Sequence, residues 1–389
     1  MKHNWEYKRL GDVCLVIGGS TPRTDIPEFW NGEYNWFTPA EIDESKYFSD
    51  SARKITESAV KSTGLTLLPI GTVLLTSRAP IGKLGILTKE AYCNQGFKNL
   101  VCKDELYNEY LFYALLYLKE EIQDKGRGAT FKEISKKVTE SIEIPVPPRA
   151  IQERIVAELD DINSMIEAKR EQQKQLDLLA QSVFYTMFGD PVTNPKGWEE
   201  SKLIECIANG SSISYGIVQP GEDFPNGVPV VRPIDLTGGK YVKRDYLKIV
   251  DPAISDSYKR TILLGNEILM CVRGTTGIIR MADLTLKDAN VTRGITPLRV
   301  KGTINITYMY EYLKRQKAQE FIKYYTKGTT LKQINMADLR NLPILLPPLD
   351  LQQQFAAKVE AIEAQKAEIE ATIKELQTLL DSRMDYWFN

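Results

Sequence analysis

The stretch "IPVPPRAIQERI" runs from Ile144 to Ile155, and "ILLPPLDLQQQF" runs from Ile344 to Phe355. A proline pair, a short polar step and a glutamine recur two hundred residues apart, and each is followed by a long run without Pro or Gly. Proline cannot donate to a strand ladder but fits the start of a helix, where its missing N–H goes unneeded. Each pair therefore predicts the start of a helix of about 40 residues, about 60 Å long at the helical rise.

Inside these runs, hydrophobic residues recur every seven positions. Ile155, Ile162, Leu176 and Val183 share one heptad position, and Leu159, Ile166, Ala180 and Met187 share the other. The second run gives Phe355, Ile362, Ile369 and Leu376, with Val359, Ile373, Leu380 and Trp387. That is the seam of a coiled coil sustained over about five heptads. Lys169 and Gln173 interrupt the first copy and Lys366 the second. A polar seam residue costs stability but fixes register. The expected pairing set is Ile155, Ile162, Lys169 and Leu176 with Phe355, Ile362, Lys366 and Ile373. In an antiparallel pair the central polar positions come close together.

The repeat reaches back beyond the helices. "GRGATFKEI" precedes the first prolines and "TKGTTLKQI" the second, so Gly128, Thr130, Lys132 and Ile134 match Gly328, Thr330, Lys332 and Ile334. Further upstream "WEYKRLGDV" at Trp5 returns as "WEESKLIEC" at Trp198, and "FTPAEI" as "VRPIDL". "GTVLLTSRAPIGKLGI" returns as "GNEILMCVRGTTGIIR", and "NQGFKNLVC" as "TRGITPLRV". The chain reads as globule, helix, globule, helix, with "FGDPVTNPKG" as the connection between halves. The expected divisions are a first globular domain over 1–143, a helix and linker over 144–190, a second globular domain over 191–343 and a second helix over 344–389. The expected fold class is α+β: two pseudo-repeated mixed α/β domains separated by two long helices that pair as an antiparallel coiled coil. Each globule combines short strands, as in "GTVLLTS" and "GIIRMADLTL", with a helix such as "NEYLFYALLYLKEEIQ".

Composition narrows the function. The chain has 389 residues with 43% hydrophobic and 26% charged, a globular balance too long for one ordinary core. No apolar run approaches the roughly 20 residues that span a bilayer. The start "MKHNWEYKRLGD" has no apolar signal core, which predicts a cytoplasmic protein. The five cysteines form no CxxC pair, which fits a reducing compartment and argues against a zinc site. The single histidine, His3, lies at the N-terminus, which argues against histidine-based catalysis or a multi-histidine metal site. Net charge is −1, but it is segregated. Residues 191–343 carry 22 Lys and Arg against 15 Asp and Glu, whereas the two helix segments are acidic. A basic block of this size also fits an ordinary solvated surface.

A duplicated reader on a rigid spacer suits a target with two separated half-sites, and double-stranded DNA is such a target. "LLTSRAPIGK" places Thr76, Ser77, Arg78 and Lys83 on a loop after a strand, and "LMCVRGTTG" places Arg273, Thr275 and Thr276 at the matching point. Gln95 and Arg293 match in another loop, and Arg232 precedes Pro233. Arginine's planar fork fits guanine O6 and N7, glutamine can read adenine, and hydroxyls suit phosphates. Thr130 and Lys132, and in the copy Thr330 and Lys332, read as phosphate clamps. Any one of them could instead be a plain surface residue.

These motifs resemble the specificity subunit of type I restriction–modification systems, over essentially the whole chain. The marks are the openings at Trp5 and Trp198, the "SR-x-x-IG" element at Ser77 to Gly82, and above all the doubled "G-x-T-x-K-x-I … PP … Q" block. The resemblance implies a non-catalytic DNA reader, each domain taking one half of a bipartite target. It implies that the paired helices dock two adenine-methyltransferase subunits and that motor-nuclease subunits join them. S-adenosylmethionine, ATP and Mg²⁺ would then belong to those partners, with no cofactor or metal in this chain. Departures are "CVRGTTG" where the first copy has "TSRAPIG", Gln354 where it has Arg154, and an ending "DYWFN" without the "FGDP" continuation. Differing loops imply differing half-sites, so the target should not be a palindrome.

Catalytic readings fare poorly. The proline pairs read "VPPR" and "LPPL", with no polar acceptor before and no aromatic after, unlike the loop that holds a flipped base in amino-methyltransferases. No GxxxxGK[ST] motif is present. A carboxylate nuclease built from Glu28 and the "ESK" of Glu44 to Lys46 is not repeated in the second block. Two alternatives keep the architecture: a coiled-coil adaptor that binds proteins without reading DNA, and the specificity subunit of a type II-like modification enzyme.

Overall fold

The computed structural model of the protein describes residues 5–78, 80–126, 132–329 and 331–389. The chain divides into two compact units, Met1–Glu171 with Glu370–Asn389, and Gln172–Ile369. Both long helices form, Arg149–Phe188 and Leu349–Phe388, each 40 residues. The division falls within them, so each unit is one globule with one end of each helix.

The repeated proline–glutamine sentence has a structural meaning. Pro148 O accepts the amides of Ile151 and Gln152, and Pro348 O those of Leu351 and Gln352, which opens each helix. Gln152 is fully buried, and its Oε1 accepts the Tyr107 N–H at 2.8 Å while its Nε2 donates to Pro147 O and Glu105 O. Gln352 repeats this with the Asn305 N–H at 2.9 Å and Pro347 O at 2.7 Å. Tyr110 Oη donates to Pro145 O, and Tyr308 Oη to Leu345 O. Each helix start is thus bolted to the backbone of its own globule. We expect Gln152→Ala to cost about 1–3 kcal/mol, because a buried N–H and two carbonyls lose their partner. A lowered denaturation midpoint for the unit holding Tyr107 checks this, and an unchanged midpoint would refute it.

In the first unit a five-stranded sheet runs in the order 14–18, 98–102, 73–75, 84–87, 47–48, antiparallel except for the last pair. A ribbon of Tyr7–Arg9 against Glu143–Pro145 closes the globule's two ends on each other. The helix expected over "NEYLFYALLYLKEEIQ" forms as two pieces, Asn108–Tyr117 and Lys119–Asp124. One core joins sheet, helix and spacer: Leu75, Leu84, Leu100, Tyr110 and Leu111 share it with Ile155, Leu159, Ile162, Leu380, Met384 and Trp387.

In the second unit, Ile268–Cys271 lies between Ile279–Met281 and Ile295–Leu298. A second sheet pairs Val228–Val231 with Lys248–Val250 and Asn290–Val291. The ribbon returns as Glu199–Lys202 against Pro343–Leu346. Phe184, Phe188, Phe355 and Val359 share this unit's core with Tyr308 and Tyr312.

In both units the start of one helix meets the end of the other, so the pair is antiparallel. Ile155, Ile162, Leu176, Phe355 and Ile362 are buried as the heptads require, and Ile373 is half-buried against the first core. The polar interruptions are accommodated rather than buried bare. Lys169 is half-buried, and Lys366 Nζ lies 2.7 Å from Asp177 and 3.6 Å from Glu363. The partner Asp177 is one residue past the expected seam position Leu176.

The seam departs from expectation at its end. Phe184 and Phe188 are buried where Val183 and Met187 were expected, and in the copy Met384 and Phe388 join Trp387. An unsupercoiled helix drifts ~20° per heptad from a strict seven-residue repeat. Over about five heptads the drift is about 100°, one residue. The last turns therefore follow the true helical period and turn large side chains into the globule.

Candidate nucleic-acid interface

Three distant motifs meet in each unit, and they meet through the same bonds. In the first, the Ser77 amide donates to Gly96 O at 2.7 Å and the Ile134 amide donates to Ser77 O at 3.0 Å. In the second, the Val272 amide donates to Gly294 O at 2.8 Å and the Ile334 amide to Val272 O at 3.0 Å. The turn of "FTPAEI" or "VRPIDL" closes over the junction. A Cβ on Gly96 would lie 2.7 Å from Pro39 Cγ, and one on Gly294 would lie 2.5 Å from Pro233 Cγ, so only glycine admits this contact. Each turn is capped by its own acid. Glu41 accepts the Thr38 amide at 2.8 Å, and Asp235 accepts the Arg232 amide at 2.7 Å.

In the first unit this scaffold presents Arg78, Gln95 and Lys132 on exposed positions. Gln95 Oε1 accepts a bond from the Thr21 hydroxyl, which fixes the amide's orientation. Three expected contacts turn inward instead. Thr76 is fully buried; its hydroxyl donates to Pro80 O at 2.7 Å and accepts the Lys83 amide at 2.9 Å. Ser77 is fully buried and accepts from Lys98 Nζ at 3.1 Å. Lys83 Nζ donates to Ile42 O at 2.6 Å. These residues build the loop rather than face a ligand, because the tight return from strand to strand leaves polar groups that only local side chains can satisfy.

In the second unit Thr275 and Lys332 are exposed and Arg232, Arg273 and Arg293 half-buried. Arg232 grips Asp235 through Nε and Nη2, both at 3.0 Å. Thr275 and Lys332 line a cavity of about 730 Å³ with Gly274, Thr276 and Lys323. Arg273 pairs its backbone with Gln333, as Arg78 does with Glu133. Thr130 and Thr330 lie outside the described residues.

Behind the loops, the first globule grips its helix through a lysine. Lys46 Nζ reaches Asp160 at 2.6 Å and Glu109 at 3.0 Å. Burial pulls its pKa down, but these acids outweigh burial and raise it. That fixes Lys46 of the "ESK" tripeptide in a docking role. Lys240 sits 5.6 Å from the Tyr310 ring centroid, and burial lowers its pKa despite the charges of Glu363 and Glu311.

Sequence reasoning passed over Lys98 and Glu133. Glu133 Oε2 accepts from Arg78 Nε at 3.0 Å, and its Oε1 lies 3.3 Å from Lys98 Nζ. Both look like solvated charges in the sequence. The signal was available in the repeat: "KEI" becomes "KQI", and "GFK" becomes "GIT". The glutamines Gln152 and Gln352 were read only as part of a motif.

The type I restriction modification DNA specificity domain matches this chain twice, over residues 2–178 and 195–378. The chain belongs to the family of type I restriction–modification specificity subunits and carries two recognition domains. The MjaIX specificity subunit of Methanocaldococcus jannaschii is 31% identical over 392 residues, covering 92% of this chain and 87% of that protein. The EcoBI specificity subunit of Escherichia coli is 23% identical over 312 residues, covering 74% of this chain and 65% of that one. Among solved structures, a chain from work on assembly and conformational transition of the type I R–M system aligns with TM-score 0.60 at 20% identity, covering 98% of this chain and 96% of that one. The S subunit of the type I system from M. genitalium aligns with TM-score 0.53 at 16% identity, covering 99% and 96%. These likenesses show a shared fold. Among the described residues no helix is long and apolar enough to cross a membrane.

Proposed function

We propose that this chain reads an asymmetric bipartite DNA sequence for a type I complex, one half-site per domain. The observation that supports this most is that two loop clusters share one hydrogen-bonded scaffold yet present different side chains. Arg78 and Lys132 recur as Arg273 and Lys332, but Gln95 becomes Arg293, Lys98 becomes Thr296 and Glu133 becomes Gln333. Equal scaffolds suit equal tasks, and unequal side chains suit unequal base sequences. The chain itself performs no chemistry in this reading. Two adenine-methyltransferase subunits dock on the helices and motor-nuclease subunits join them in the cytoplasm. Those partners hold S-adenosylmethionine, ATP and Mg²⁺, and the helix pair sets the gap between half-sites.

The test is a methylome. The chain is expressed with its methyltransferase in a methylation-free host, and modified adenines are read genome-wide with and without it. We expect a chain-dependent motif of two unlike halves around a fixed gap. Arg78→Ala and Arg273→Ala should each relax a different half, by about 1–3 kcal/mol for a bidentate base contact. No chain-dependent motif beside an active methyltransferase would sink the reading in favour of a protein-binding adaptor. Unchanged preference in both variants would remove those arginines from it.

A further inference from the structure

The first domain holds Arg78 in a way the second does not hold Arg273. The backbones of Arg78 and Glu133 pair as an antiparallel bridge, and so do those of Arg273 and Gln333. The side chains then diverge. Glu133 takes Arg78 Nε on Oε2 at 3.0 Å and faces Lys98 Nζ with Oε1 at 3.3 Å. Lys98 is only 9% exposed and also bonds Ser77 Oγ at 3.1 Å. The carboxylate is therefore clamped from below by a nearly buried ammonium and grips the arginine above. In the second domain the matching positions are Gln333 and Thr296. Gln333 Nε2 donates to Tyr215 Oη at 3.0 Å, and among the described residues the buried Thr296 hydroxyl has no partner. Among the described residues the Arg273 guanidinium has no carboxylate.

An exposed ion pair is ordinarily worth little. This one does something geometric. Guanidinium has five N–H donors in one plane. With Nε committed to Glu133, the two terminal NH₂ groups are left as an end-on fork. Two parallel donors match the two acceptors on the major-groove edge of guanine, O6 and N7. Adenine offers N7 but places an N6 donor where O6 would be.

We propose that Glu133 is a positioning residue that aims the Arg78 fork at O6 and N7 of one guanine in the first half-site. The inference rests on the DNA-reading function above and deepens it. The second domain lacks the device, so its arginine is aimed less strictly.

The experiment uses the purified complex of this chain with its methyltransferase subunits and duplexes carrying the motif. Guanines of the first half-site are replaced one at a time by 7-deazaguanine, which loses N7 and keeps O6. We expect one replacement to weaken binding about tenfold or more. Arg78→Ala should abolish that penalty. Glu133→Gln should reduce it to about threefold or less while leaving the base preferences of the other half-site unchanged. Lys98→Met removes the clamp from below and should reduce the same penalty, so it carries the test if Glu133→Gln does not fold. A full penalty retained in both variants overturns the proposal. So does an equal loss at every position, which marks a purely structural role. Chain-dependent binding with no first-half guanine sensitive to N7 overturns it while the DNA-reading function stands. Absence of any chain-dependent DNA binding defeats that function itself.

Discussion

Removing one heptad from each long helix, residues 167–173 and 368–374, should shorten the gap between half-sites by about 10 Å, about three base pairs. The two deletions must be made together. Arg383 grips Glu158 in one unit, and Lys366 grips Asp177 in the other. Each unit contains an end of each helix, so shortening one helix alone would slide one of these contacts out of register by two turns. Shortening both keeps residues 149–166 opposite 375–388 and residues 174–188 opposite 349–367. The heptad phase survives because seven residues leave the seam on the same face. The readout is the methylome: a gap shortened by about three base pairs, or loss of modification, follows if the helices set the distance. Modification at the original gap and full rate would end the ruler idea.

Phe184→Ala should cost about 3–5 kcal/mol, the usual range for emptying a buried phenyl site. Phe184 is fully buried and its ring centroid lies 5.0 Å from Phe188, 5.6 Å from Phe355 and 5.9 Å from Tyr308. It also carries the Arg315 guanidinium 4.9 Å from its centroid, and Arg315 is ion-paired to the buried Glu311. The substitution opens a cavity between both helices and the globule and strips a nearly buried charge of its ring contact. For a unit of this size we expect the midpoint of its thermal transition to fall by roughly 6–20 °C. A drop under about 2 °C would mean that the rings collapse into the space and that the site is not the keystone its geometry describes.

Much of this architecture was legible because the chain states it twice. The proline pairs marked both helix starts, the heptads gave the seam, and the aligned motifs gave two equivalent globules. What stayed hidden depends on burial, which one-dimensional spacing does not encode. Thr76 and Ser77 beside Arg78 read as phosphate donors, yet the loop folds their hydroxyls into itself. Lys83 read as a DNA contact, yet its Nζ donates to Ile42 O. Phe184 and Phe188 lay one step off the heptad and won because a straight helix does not keep a seven-residue period. Glu133 was invisible because its partners, Arg78 and Lys98, come from other motifs.

The ribbons that pair Tyr7–Arg9 with Glu143–Pro145, and Glu199–Lys202 with Pro343–Leu346, bring the entry and exit of each globule side by side. Beside the shared apolar core, part of the grip between globule and helix is made to backbone: Gln152 holds the Tyr107 amide and Gln352 the Asn305 amide. A segment whose ends touch, and whose anchor adds a peptide group to an apolar packing face, behaves as a cartridge. A foreign cartridge of unrelated loop sequence can seat in the same frame if its ends meet, one amide reaches the glutamine and its apolar side chains complete the core shared with the helices. Recombination at the two ribbons would then change the recognition domain in a single step, leaving the helical frame untouched.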